Sequence, residues 1–127
     1  MKLKHQISGA VFQIVALELN NGQCPAIGYL TSLKSRSPSL HETMHARIKF
    51  RADHLLIANK NISRPLSGGR YNDLFRLVVK GERLLYCFLP QGVVVLLNGY
   101  NKNDVEKSEW EKARKYNIDL REELRLN

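Results

Sequence analysis

Residues 73–99 read DLFRLVVKGERLLYCFLPQGVVVLLNG, and the spacing of apolar runs and turns within them decides the fold. Asp73 to Lys80 (DLFRLVVK), Arg83 to Leu89 (RLLYCFL) and Val93 to Gly99 (VVVLLNG) carry the β-branched and aromatic content of strands. Gly81 and the triplet Pro90-Gln91-Gly92 supply tight turns between them. Three closely spaced strands joined in this way pair as antiparallel hairpins. VVVLL is apolar at successive positions, which predicts a central strand covered on both faces.

Towards the N-terminus, Ala10 to Glu18 (AVFQIVALE) is predicted as the first strand, ended by Asn20-Asn21-Gly22. Lysines followed by apolar residues imitate a signal peptide here. The apolar stretch is interrupted by Gln13, reaches Glu18 and has no small-residue cleavage site, so the segment reads as a strand. A short helix is predicted over Pro25 to Leu33, with proline in its first turn, and KSRSPS (34–39) is a loop. Ser39 and Glu42 have the spacing of a capping box, and Leu40, Met44, Ile48, Leu55 and Leu56 form an apolar stripe, predicting a helix from Ser39 to about Ala58. NKNISRPLSGG (59–69) is a long connection.

On the C-terminal side, the polar YNKND leads into a last helix from about Asp104, with Val105, Trp110 and Ala113 turned inward. Asp119 to Glu122 restarts a helical turn with its own cap. The predicted order is β-α-α-β-β-β-α, an α+β domain with helices on one side of a small sheet. At 127 residues the chain makes one domain, residues 1–127, with a single modest core.

The net charge of +8 is unevenly distributed. Residues 1–100 hold 13 Lys/Arg against 5 Asp/Glu, whereas residues 101–127 hold 7 of each. A clustered positive field attracts phosphates over roughly 8 Å at physiological salt, so the imbalance points to a polyanion or an acidic protein as partner. Cys24 and Cys87 are too few and too far apart for a disulfide scaffold or a cysteine metal site, which suits a reducing cytoplasm. Nothing in the sequence is long enough to span a bilayer.

Residues 41–45, HETMH, match the HExxH pattern in which two histidines on one helix face bind zinc and the glutamate acts as base. Catalytic zinc needs a third protein ligand. A metzincin continuation wants glycine where Ile48 stands and histidine where Arg51 stands, leaving His54, Asp53 and the distant Asp73 or Glu82. Arg47 and Arg51 oppose a bound cation, and Glu42 has a simpler use in the capping box. A zinc metallopeptidase is therefore the remote alternative. The simpler reading is a solvated basic helix surface of His41, His45, Arg47, Arg51 and His54 that contacts RNA or a protein partner.

The run from Arg64 to Tyr116, RPLSGGRYNDLFRLVVKGERLLYCFLPQGVVVLLNGYNKNDVEKSEWEKARKY, resembles the RelE/HigB-like toxins of type II toxin–antitoxin systems. It is closest to the HigB branch, which includes phage-derived host-inhibition proteins. The resemblance lies in a Pro-Leu and glycine turn before a strand reading L-x-x-L/F-R, and a hairpin strand of the form R-L/I-x-Y. A strand V-x-L-L-x-G-aromatic then leads into lysine and a helix containing E-x-x-x-A.

This resemblance implies a microbial ribonuclease-like fold and a ribosome-dependent endoribonuclease that cuts mRNA without metal or other cofactor. It also implies a cognate antitoxin as partner. By motif position, Arg76 matches the family's phosphate clamp. Arg83 matches its leaving-group acid or charge stabiliser, and Lys102 its general base or electrostatic partner. Arg70, Tyr71, Lys80, Tyr100 and Trp110 are the implied substrate contacts, with Trp110 as a stacking aromatic. Asn103 stands where the family often has a second basic residue, and no histidine follows His54. A non-catalytic basic protein of the same fold, binding nucleic acid or a host protein, is the alternative. In that case Arg76 and Lys80 are solvent-facing strand charges, Trp110 is core, and Tyr86 and Tyr100 are packing residues.

Overall fold

A computed structural model describes residues 1–55, 63–67 and 69–125. Its elements are β1 (Lys2–Ser8), β2 (Gln13–Glu18), α1 (Pro25–Arg36), α2 (Pro38–Asp53), β3 (Ser63–Pro65), a short 3-10 turn (Gly69–Tyr71), β4 (Phe75–Val79), β5 (Glu82–Leu89), β6 (Val93–Asn101) and α3 (Glu106–Glu123). The strands form one six-stranded sheet in the order β1-β2-β6-β5-β4-β3. Among the described residues only β2 and β6 run parallel; the other neighbours are antiparallel. The α+β class and the β4-β5-β6 hairpins follow the sequence reading.

The expected order omitted β1 and β3. The strand predicted over Ala10 to Glu18 is β2, which begins at Gln13, and β1 lies before it. Between them stands Gly9, whose backbone lies so close to Ala52 that a Cβ there would fall 2.4 Å from it. The chain then turns, and β1 pairs back on β2. The predicted helix placement is also corrected: α1 and α2 cover one face of the sheet and α3 covers the other. Leu33, Met44 and Ile48 pack with Ile14, Leu77, Tyr86 and Leu96 on the first face. Trp110, Ala113 and Leu120 pack with Val15, Leu85, Cys87 and Val95 on the second. The physical reason is the apolar run of β6, which must be covered twice.

Helix boundaries shift as well. Pro38 occupies the first turn of α2, where its fixed φ suits the helix, so Ser37 rather than Ser39 is the cap and accepts from the Leu40 N–H at 3.4 Å. The capping box of Ser39 and Glu42 does not form. The helix ends at Asp53, leaving Leu55 exposed, while Leu56 and Ala58 lie outside the described residues. Helix α3 runs without a break through Asp119.

Arg51, expected on a solvated basic surface of α2, is instead buried, 5% exposed, because its guanidinium is drawn over two aromatic rings and to backbone carbonyls at the helix end. Its guanidinium lies 5.2 Å from the Phe12 ring centre and 5.5 Å from that of Phe88. It donates to the carbonyls of His54 at 2.6 Å and Leu55 at 2.9 Å, closing the end of the helix. Arg51→Ala is expected to lower stability by about 2 kcal/mol through the lost ring contacts and unpartnered carbonyls, as read by urea denaturation.

One irregularity sets up the site. Along the β5–β6 ladder Leu85 faces Asn98 and Tyr86 faces Leu96, so Leu97 is an extra residue, a β-bulge. Beyond it Asn98 and Tyr100 point to the α3 face, and Gly99 lies under Tyr29 of α1.

Candidate functional site

The sequence-predicted residues assemble at one end of the sheet in two adjoining groups. The first lies between the sheet and α3. Arg76 projects from β4 towards α3 and is buried, 7% exposed. Its Nη1 is 3.2 Å from Glu106 Oε1, and the same oxygen accepts from the Tyr100 hydroxyl at 2.9 Å. Trp110 Nε1 donates to the Tyr100 oxygen at 2.8 Å. Tyr71 sits edge-on to Trp110, with ring centres 5.3 Å apart, and hydrogen-bonds Glu111, which also pairs with Arg70 at 3.1 Å. Lys107 Nζ lies 5.4 Å and 5.2 Å from the Tyr71 and Trp110 ring centres.

Electrostatics follow from these contacts. Burial pushes the Tyr100 hydroxyl above its ordinary value, and the Glu106 hydrogen bond adds to that. The Tyr71 hydrogen bond holds the Glu111 carboxyl below the usual glutamate range, with the arginines at 70 and 114 assisting. Arg76 and Trp110 also border a cleft of about 140 Å³ with Arg64, Pro65, Leu66 and Ser67. The buried Arg76 Nε has no partner among the described residues. The exposed Arg64 gives the cleft a cationic wall.

The second group is the β4–β5 turn. Lys80 takes a left-handed conformation there, with φ of 51°. Arg83 shares the α3 face with its cross-strand neighbour Tyr100, but its Nη1 turns to the carbonyls of Lys80 and Glu82. Lys102 donates its backbone N–H to the Gly81 carbonyl at 2.7 Å. Its stem runs along the turn, with Cγ only 3.5 Å from where a Gly81 Cβ would stand. Lys80, Arg83 and Lys102 therefore form one cationic edge.

Three of the implied substrate contacts are buried rather than open to a ligand: Tyr100 at 3%, Tyr71 at 6% and Trp110 at 7% exposure. The Trp110 ring is taken up by Tyr71, Lys107 and Arg76, whose guanidinium lies 6.0 Å from the ring centre, so it is not free to stack on a base. The residue that sequence reasoning missed is Glu106. It lies four positions before Trp110, so helical spacing alone places its carboxylate on the same inward side of α3.

The HETMH histidines lie on the surface of α2, where His41, Glu42 and His45 line a shallow groove with Lys34 and Pro38. His54 stacks on Phe50 with ring centres 3.9 Å apart, and Asp53 accepts from the Ala10 N–H and Lys49. Both are thus engaged away from the histidine pair. Among the described residues no group of three or more His, Cys, Asp or Glu side chains converges to hold a metal ion.

On the opposite face of the sheet, the buried carboxylate of Glu82 is surrounded by Tyr29, Arg36 and Asn101. Burial pushes this carboxyl up, but the hydrogen bonds from Asn101, Tyr29 and Arg36 outweigh it and hold it below the ordinary glutamate value. A depressed folded-state value contributes stability above the unfolded value of about 4.3, lost as pH falls through the folded one. Glu82→Gln should therefore flatten the acid limb of a plot of stability against pH, checked by denaturation between pH 2 and 6.

No helix among the described residues is long and apolar enough to cross a membrane. No protein-family model matches the chain, and no curated protein is found to be similar to it.

Proposed function

We propose that this protein is a metal-independent endoribonuclease of the toxin type, acting on mRNA at the ribosome and restrained by a cognate antitoxin. The observation that carries this reading is a half-exposed carboxylate, Glu106, held between a buried arginine and a tyrosine hydroxyl beside a cationic edge. The motif resemblance over Arg64 to Tyr116 and the charge excess of residues 1–100 support it.

In this reading Glu106 accepts the 2′-hydroxyl proton as the 2′-oxygen attacks phosphorus. Arg76, Arg83 and Lys102 stabilise the charge that builds on the phosphorane oxygens. The bond from phosphorus to the 5′-oxygen then breaks. The Tyr100 hydroxyl protonates that leaving oxygen and regains a proton from Glu106 along their hydrogen bond. The products are a 2′,3′-cyclic phosphate and a free 5′-hydroxyl.

Incubating the purified protein with end-labelled RNA and with translating ribosomes, in EDTA, tests the reading. Cyclic-phosphate ends are expected from the wild type, with Glu106→Gln reducing the rate by about 10²–10⁴-fold. Expression should arrest growth, and Arg83→Ala or Lys102→Ala should relieve the arrest while the protein stays folded. Intact mRNA on ribosomes exposed to the wild type would rule the enzyme out. A non-catalytic basic binding protein is the second reading, favoured by the existing engagement of Arg76 with Glu106 and of Arg83 with two carbonyls. It predicts tight, salt-sensitive binding without cleavage products.

A further inference from the structure

Glu82 stands outside the roles assigned above, yet it is tied to one of them. Its side chain is 3% exposed on the α1 face. Three donors meet its two oxygens: the Tyr29 hydroxyl at 2.8 Å, Arg36 Nη2 at 3.4 Å and Asn101 Nδ2 at 2.6 Å. Asn101 has further partners. Its Oδ1 accepts from the Asn103 N–H at 3.0 Å, and its own N–H donates to Asp104 Oδ2 at 2.9 Å. Lys102 thus lies on a turn whose backbone is braced from both sides by one asparagine, and that asparagine is oriented by Glu82.

We propose that Glu82 is a positioning residue that acts through Asn101 to hold Lys102 over the β4–β5 turn beside Arg83. An ionised carboxylate only accepts, so it fixes which way the Asn101 amide points, nitrogen towards Glu82 and oxygen towards Asn103. A glutamine at 82 would set an NH₂ against the Asn101 NH₂ or the Arg36 guanidinium. The amide would turn or withdraw, the Asn103 N–H would lose its acceptor, and Lys102 would drift from its place.

This inference rests on the RNA-cleavage reading for its catalytic consequence but not for its structural one, and the two are tested separately. In Glu82→Gln, amide exchange at Lys102 and Asn103 is expected to quicken about tenfold or more while central β5 and β6 amides keep their protection. In cleavage assays kcat should fall on the order of 10²-fold with KM within about twofold, the effect of a misplaced group rather than a lost binding contact. The double variant Glu82→Gln/Lys102→Ala should be no slower than Lys102→Ala alone. Asn101→Ala, which leaves Glu82 with Tyr29 and Arg36, should reproduce both results and carries the test if Glu82→Gln does not fold. Unchanged exchange at Lys102 and Asn103, or a rate loss that adds to that of Lys102→Ala, overturns the proposal. A wild type that cuts no RNA sinks the functional reading, and the exchange experiment still decides the positioning.

Discussion

Gly99→Ala is expected to destabilise the protein by about 3 kcal/mol, a large effect for the addition of one methyl group. A Cβ at this position would stand 2.2 Å from Tyr29 Cδ2 and 2.3 Å from Cγ, well inside any tolerated contact. The ring has little room to retreat, because α1 lies over β6 and the Tyr29 hydroxyl is bonded to the buried Glu82. Alanine is otherwise the better strand residue by roughly 0.5–1 kcal/mol, so the clash must exceed that gain before any loss appears. For a domain of this size the melting temperature should fall by roughly 10 °C, measurable by calorimetry. In a Tyr29→Ala background the same substitution should be close to neutral, a coupling above about 1 kcal/mol in the double-mutant cycle. Additive losses would show that the close approach is not the cause.

Trp110→Ala should have a comparable or larger effect, about 3–5 kcal/mol, because it empties the centre of the core beneath α3. The loss has two parts. The indole packs edge-on to Tyr71, and its N–H supplies the Tyr100 hydroxyl with a donor inside the protein. Trp110→Phe keeps most of the packing and removes the donor, so it should lose only about 1 kcal/mol beyond any volume effect. The pair also separates core from stacking platform. RNA affinity of the folded Trp110→Phe protein should stay within about twofold of wild type. A large fall in affinity at unchanged stability would assign the ring to the ligand instead.

The legible parts of the fold were those in which local and tertiary signals agree. The three strands from Phe75 to Asn101 combine apolar runs with turn residues, and their pairing is fixed by the two short turns between them. β1 was hidden because KLKHQIS is an edge strand with every residue but Ile7 exposed, so its sequence carries little apolar pattern. β3 has three residues ending in proline and is held by pairing with β4 rather than by any propensity of its own. The face on which α3 packs was equally hidden, because inward spacing of Trp110 and Ala113 is the same for either side of the sheet. At the site, Arg76 and Tyr100 were found through motif position. Glu106 was not, because an acidic residue in a first turn already has an explanation in the helix dipole. The Ser39–Glu42 spacing misled for a related reason: a proline one residue earlier was the stronger start signal.

The bulge at Leu97 makes the site depend on ladder geometry as well as on residue identity. Strands keep count in twos, and β6 is one out of step from Asn98 onward. Were the same residues drawn into a regular ladder, Tyr100 and Asn98 would turn to the α1 side, Gly99 would come to lie beneath α3, and Arg76 and Glu106 would keep their places without the tyrosine between them. Deleting Leu97 would instead remove the extra residue and leave Asn98, Gly99 and Tyr100 on their present faces. The proposed proton path thus hangs on one surplus residue being bulged out of the pairing, and not on what its side chain is.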